Sequence, residues 1–124
     1  MQNDVSRQAA DQLRAYALSF PGATEEFPWG ESVAKVAGKI FVYLGRGLGE
    51  DGSWSFGVKL PVTGASVREL PLAQPMGYGL DKAGWVVIRY EPGQIPDAAL
   101  VQSLVDESFR AVAPKRLLAE WEGR

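Results

Sequence analysis

The chain has 124 residues, of which 46% are hydrophobic and 23% are charged, and its formal net charge is −2. These values predict one globular domain over residues 1–124, which should bury roughly two thirds of the surface that the unfolded chain exposes. The sequence contains no cysteine and no histidine, which excludes disulfides, Ser-His-Asp and Cys-His catalysis, and zinc sites built from sulfur or nitrogen. We therefore expect a cytoplasmic protein without metal or cofactor. No apolar run approaches the ~20 residues of a membrane span.

The charges are unevenly distributed along the chain. Residues 32–90 carry seven basic and four acidic side chains, whereas residues 1–31 and 91–124 are both net acidic. If the fold gathers these basic residues on one surface, that surface will attract the phosphates of a nucleic acid.

The N-terminal part of the chain predicts a helix followed by a loop. Apolar residues recur at helical spacing over residues 5–19, and Pro21 ends the helix because it disfavours helical backbone in the residue before it. Residues 23–31 are expected to form a connecting loop. Its aromatic pair, Phe27 and Trp29, is expected to plug one end of the core. The alternative is a stacking surface for a base or another ligand.

Three consecutive antiparallel strands are predicted in the middle of the chain. Residues 33–37, 40–44 and 53–60 alternate with the period of two that is typical of strands. A two-residue turn at Gly38-Lys39 would pair Val36 with Phe41 and set the register of the first hairpin. In the third strand apolar side chains alternate with small or charged ones, so one face of the sheet needs a cover.

A glycine-rich stretch, residues 45–52, joins the second of these strands to the third. It superficially resembles a phosphate-binding loop, but such loops open a helix whose N-terminal amides hold the phosphate. Here the glycines lead into another strand. We therefore expect a flexible hairpin connection.

The second half of the chain predicts a short helix, a fourth strand and a long helix. Thr63 or Ser66 can cap the short helix, residues 85–90 form the strand, and the long helix runs from Pro96 to Pro114. Residues 115–121 either fold back onto the core or form an exposed tail able to bind a partner. This order is α+β, with an antiparallel sheet of about four to five strands and the helices packed on one face.

The order and spacing of several short motifs resemble the MmcQ/YjbR family of small bacterial proteins. The match covers roughly residues 13–112. It includes Phe-Pro-Trp-Gly at 27–30, Gly-Lys at 38–39, Val-Lys-Leu at 58–60, Gly-Tyr at 77–78 and Asp-Glu-Ser at 106–108. The resemblance implies a CyaY-like α+β fold, also described as double-wing, and a DNA-binding role, although fold likeness alone does not establish function.

Carried onto this sequence, the family's polar and aromatic signature implies a nucleic-acid-binding site. The residues are Lys35, Lys39, Lys59, Lys82, Trp85 and Tyr78, and we add Arg89 as a further phosphate contact. The cations would contact phosphates, while Trp85 or Tyr78 would stack or wedge against a base. In many relatives the stretch that ends at this tryptophan resembles Asn-Lys-x-His-Trp, whereas here it reads Asp81-Lys82-Ala83-Gly84-Trp85. An acid thus replaces the asparagine and the histidine is missing, so some polar contacts to an anion are absent.

Two other functions stay open from the sequence. One is a protein-interaction module that uses the sheet edge or the C-terminal segment, residues 115–124. The other is a small-ligand binder whose pocket gathers Glu25, Glu26, Lys59, Tyr78 and Lys82. Because no residue pattern specifies a reaction, we expect a binding protein rather than an enzyme, with DNA as the first candidate partner.

Overall fold

A computed structural model describes residues 2–45, 52–77 and 79–123 of the protein. The elements in chain order are α1 (Gln2–Leu18), β1 (Ala23–Glu26), β2 (Ser32–Val36), β3 (Lys39–Gly45), β4 (Trp54–Lys59), α2 (Gly64–Val67), β5 (Ala73–Pro75), a 3-10 helix (Leu80–Ala83), β6 (Trp85–Tyr90), α3 (Ala98–Val112) and α4 (Lys115–Glu122). The strands form one antiparallel sheet in the order β1-β2-β3-β4-β6-β5. The α+β class is confirmed, but the expected four to five strands are wrong, because the sheet has six.

The two strands that the sequence did not predict lie at the two edges of the sheet. β1 pairs with β2, and β5 pairs with β6. β1 reads Ala-Thr-Glu-Glu and β5 reads Ala-Gln-Pro, so neither shows an apolar alternation. Edge strands tolerate charged residues and proline because one of their sides has no ladder to complete. The segment expected to be a loop after α1 therefore begins with a strand.

The β2–β3 hairpin turns one residue earlier than the sequence predicts. Val36 pairs with Lys39, so the central turn residues are Ala37 and Gly38. Their φ angles are 52° and 80°, and positive φ at both positions is what a type I′ turn requires. The predicted pairing of Val36 with Phe41 is wrong because this turn places Lys39 opposite Val36. A bulge further along the ladder leaves Phe41 without a paired residue, so Ala34 pairs with Val42.

Alternation along β4 decides which face of the sheet carries the core. Trp54, Phe56 and Val58 are buried in the cluster that also contains the apolar residues of α1 and α3. Because successive side chains of a strand point to opposite faces, the residues between them face away from the helices. These outward-facing residues are Ser55, Gly57 and Lys59.

An aromatic cluster joins the C-terminal helix to the rest of the core. The ring centroid of Phe20 lies 4.5 Å from that of Phe109 and 4.1 Å from that of Trp121. The Trp121 indole donates a 2.8 Å hydrogen bond to Asp106. Of the two alternatives for residues 115–121, the structure shows the folded-back one. Leu117 is buried in the core, and Leu118 and Trp121 pack against it while remaining partly exposed.

The long helix α3 begins and ends near the predicted positions. Asp97 caps α3 by accepting hydrogen bonds from the backbone N–H groups of Ala99 at 3.0 Å and Leu100 at 3.3 Å, which satisfies two donors that lack partners within the helix. Pro114 then separates α3 from α4.

Over the described ranges, no helix combines the length and the apolar character needed to cross a membrane.

A buried hydroxyl on α3 links the helix layer to two strands, and it can be removed by a single substitution. Ser108 Oγ accepts a 2.8 Å hydrogen bond from Lys59 N–H and donates to the Phe41 carbonyl. Ser108→Ala leaves both backbone groups without this partner, so we expect the free energy of unfolding to fall by about 1–3 kcal/mol in urea denaturation. Ser103→Ala, at an exposed position of the same helix, is the control. Equal losses in the two variants would contradict this role of Ser108.

Glu25 joins β1 to α1, and this link should depend on pH. Hydrogen bonds from Arg14, together with one of 2.6 Å from the Ser32 hydroxyl, hold the pKa of Glu25 below its usual value. A lowered folded-state pKa gives stability that is complete above the unfolded pKa, about 4.3, and is lost as pH falls through the folded value. Glu25→Gln should therefore reduce stability at neutral pH and weaken its dependence on pH below about 4.3. Urea denaturation at several pH values tests this, with the exposed Glu120→Gln as control; parallel profiles for wild type and Glu25→Gln would refute it.

Candidate functional site

The face of the sheet opposite the helices, called here the uncovered face, carries four residues predicted for the site. Across β4 and β6, Lys59 pairs with Trp85, and Ser55 pairs with Arg89. Each residue of these two pairs alternates with core residues along its strand. Lys35 lies between two fully buried core residues of β2, so alternation directs it to the same face. The register thus gathers Lys35, Lys59, Trp85 and Arg89.

The remaining predicted residues are placed differently. Lys82 is exposed in the 3-10 helix directly before β6. Lys39 pairs with Val36, whose side chain is in the core, so the register does not bring Lys39 onto this face. Tyr78 lies outside the described residues.

The two glutamates of β1 point in opposite directions. Glu25 binds Arg14 of α1 on the helix side, whereas Glu26 binds Lys35 on the uncovered face. The pocket expected for a small ligand, with both glutamates beside Lys59, is therefore not assembled.

Two cations of the uncovered face have carboxylate partners. Lys35 Nζ lies 3.1 Å from Glu26 Oε1, and Arg89 Nε lies 3.1 Å from Glu91 Oε1. The partner carboxylates are both more than half exposed, and ion pairs at such sites contribute about 0–1 kcal/mol. A phosphate can therefore compete for either cation. Lys59 forms no ion pair within the described part of the chain.

A groove of about 660 Å³ opens on the uncovered face, between the sheet and the segment that follows β5. Most of its surface is apolar, and Glu31 is the one charged side chain among its described lining residues. The residues that shape it come from the central strands and two flanking segments: Trp29, Tyr43, Gly57, Met76, Leu80 and Val87.

The aromatic pair of the β1–β2 connection does not plug the core. Phe27 is 62% exposed and Trp29 is 70% exposed, so that prediction is wrong. The tryptophan that does pack with the core aromatics is Trp121 of α4, which stacks on Phe20. Trp29 instead lines the groove. The alternative prediction for this pair, a stacking surface, is the one that its exposure favours.

Gly57 sets the depth of the groove. A Cβ atom added at Gly57 would lie 2.2 Å from Met76 Cε and 3.3 Å from Tyr43 Cβ. Gly57 is not among the glycines with positive φ, so close packing rather than backbone conformation requires the glycine. A single glycine inside a strand that otherwise alternates regularly is the sequence signal that could have indicated this groove.

Tyr43 and Trp85 form a wall beside the groove floor. Their ring centroids are 5.1 Å apart, with the ring planes at 74°, an edge-to-face geometry that aromatic pairs favour. Trp85 is only 7% exposed, so little of its ring is accessible to a base. Burial raises the pKa of Tyr43, so its hydroxyl is protonated at neutral pH and can donate a hydrogen bond.

The family of the protein follows from a match over most of the chain. The family model described as YjbR matches residues 18–111. The chain belongs to the YjbR family. This confirms the resemblance found in the sequence.

A solved structure supports the fold of this YjbR protein. The crystal structure of Deinococcus radiodurans protein DR2400, which carries a DUF419 domain, is similar with a TM-score of 0.59. The two chains are 24% identical, and the similarity covers 80% of this chain and 74% of DR2400. No curated protein matches the YjbR chain.

Within ranges 2–45, 52–77 and 79–123, no group of three or more His, Cys, Asp or Glu side chains could hold a metal ion. The uncovered face, with its cations and its groove, is the candidate functional site.

The close approach of Met76 to Gly57 can be tested by adding one methyl group. In Gly57→Ala the methyl must displace Met76 Cε, the mobile end of a flexible side chain. We expect the free energy of unfolding to change by less than about 1 kcal/mol, while the Met76 methyl resonance shifts in an NMR spectrum. Ser103→Ala, at an exposed position of α3, is the control and should leave the Met76 resonance unchanged. An unchanged Met76 methyl resonance in Gly57→Ala would refute the contact.

Proposed function

We propose that this YjbR protein binds single-stranded nucleic acid, with DNA as the first candidate, on the uncovered face of its sheet. The observation that carries the proposal is the register that directs Lys35, Lys59 and Arg89 to the one face that the helices leave open. Cations beside an exposed aromatic ring are the two components by which proteins hold single strands. The proposed role is binding rather than catalysis.

The form of the surface favours a single strand over a duplex. In a duplex the base faces are stacked on one another, whereas a single strand presents them to aromatic side chains. Trp29 is 70% exposed and lies beside the groove, where such a face is accessible. With a net charge of −2, the protein has little long-range attraction for phosphates, so local contacts must supply the affinity.

A free small molecule is the second candidate ligand. The groove volume of about 660 Å³ lies within the roughly 300–1,000 Å³ typical of small-molecule sites. A small neutral ligand would bind with little dependence on salt, whereas a strand that contacts several cations would release counterions and bind more weakly as salt is raised. Salt dependence therefore distinguishes the two candidates.

The proposal predicts salt-dependent binding in which Lys59 takes part. Fluorescence anisotropy with a labelled single strand, between ~50 and 200 mM salt, should give a log-log slope of about −2 to −3 for three or four phosphate contacts. Lys59→Gln should weaken binding and reduce the magnitude of the slope by about 0.7. Lys115→Gln, at an exposed position of α4, should leave both unchanged. Absence of binding, or a slope of zero, would overturn the proposal.

Replacing the carboxylate that pairs with Lys35 should strengthen binding, whereas replacing Lys59 should weaken it. Glu26→Gln removes the ion pair on the uncovered face and one negative charge beside the bound strand. We expect tighter binding of the same single strand in the same assay, with a steeper salt dependence, because Lys35 becomes available to a phosphate. Glu120→Gln removes one negative charge from an exposed position of α4 and controls for the change in net charge.

A further inference from the structure

We infer that the groove on the uncovered face accepts one unstacked nucleobase of the bound strand, with Trp29 stacked on its ring and the flanking phosphates outside. This inference rests on the proposed function, and it names the part of the ligand that enters the groove.

The lining of the groove separates the base from the phosphates. Burying a charge among apolar groups is costly, whereas a neutral ring fits a mainly apolar lining. Lys35, Lys59 and Arg89 lie on the sheet and are not among the described residues that line the groove. The backbone of the strand would therefore pass over the rim, where these cations can reach its phosphates.

The spacing of the cations fits a strand that crosses the groove. The pair Gly57–Val87 on the groove floor lies between the pair Lys59–Trp85 and the pair that contains Arg89. Each of these flanking pairs is two residues away along the strands, which corresponds to about 7 Å. Lys59 and Arg89 therefore lie on opposite sides of the floor. Phosphates on the two sides of a base seated in the groove beside Met76 would approach different cations.

The walls of the groove suit a flat ring. Trp29 leaves most of its side chain uncovered by the rest of the protein, so an incoming ring can stack on it without displacing a neighbour. Met76 lies directly over Gly57, and its flexible thioether can move to fit rings of different size and makes favourable contacts with aromatic groups. Val33 and Val87 complete an apolar floor.

The experiment compares two short labelled strands by fluorescence anisotropy. One strand consists of abasic sites with a single central guanine, and the other is abasic throughout, so a slipped register cannot place another base in the groove. Stacking is worth ~1–3 kcal/mol per base, so the guanine strand should bind wild-type protein roughly 5- to 150-fold more tightly. Trp29→Ala should remove this difference, as should Gly57→Leu, which fills the groove floor. Phe27→Ala, an exposed aromatic of the same connection that does not line the groove, should retain it.

The outcomes separate this inference from the proposed function. If both strands bind with the same affinity and the same salt dependence, or if Trp29→Ala keeps the full difference, the base does not occupy the groove and the inference is overturned, while binding on the uncovered face stands. If neither these strands nor an unmodified single strand binds, the proposed function fails and the inference fails with it. Because Trp29 is exposed, its variant decides the question even if Gly57→Leu does not fold.

Discussion

The pairing of β4 with β6 is the constraint on which the rest of the structure depends. In this register Trp54, Phe56 and Val58 all face the helices, and burying each such side chain stabilises the fold by about 1.5–3 kcal/mol. A slip of one residue would turn the whole set toward solvent. Because the inward set is held so strongly, the outward set is decided as well, and Gly57 and Lys59 have no other face to occupy. The position of the groove is thus a consequence of the core.

The aromatic core is completed by a ring from the C-terminal helix and not by Trp29. Phe20 contacts both Phe109 and Trp121, so α4 contributes a large ring to this cluster. Trp29 instead lines the groove, with 70% of its surface exposed.

Local contacts, and not the overall charge of the protein, would have to hold an anionic ligand on the uncovered face. The chain is net acidic, and Lys35 and Arg89 each have a carboxylate within 3.1 Å. Because these exposed ion pairs are weak, a phosphate can compete with the carboxylates, and in the proposed function the neighbouring apolar groove adds a site for a flat, neutral group. Membership of the YjbR family and the likeness to DR2400 support the fold, whereas function has to be argued from the site itself.

The sequence by itself determined the features that depend on neighbouring residues. The extents of α1 and α3 follow from apolar periodicity and from Pro21 and Pro114, and the four apolar strands follow from alternation and β-forming residues, because these signals act over a few positions. The family resemblance likewise rests on the order of short motifs. The tertiary structure alone decided the edge strands, since the sequence of β1 or β5 becomes a strand only beside its partner.

The groove is likewise a feature that only the tertiary structure decided. It exists because Met76 comes to lie over Gly57 and because Trp29 is left outside the core, and the chain does not connect these residues locally. Alternation could indicate that Lys59 faces away from Phe56 and Val58. Which lysines share that face was settled by the turn at Ala37-Gly38 and by the bulge that follows it. Strand register depends on the packing of both strands at once, so it cannot be obtained from either strand alone.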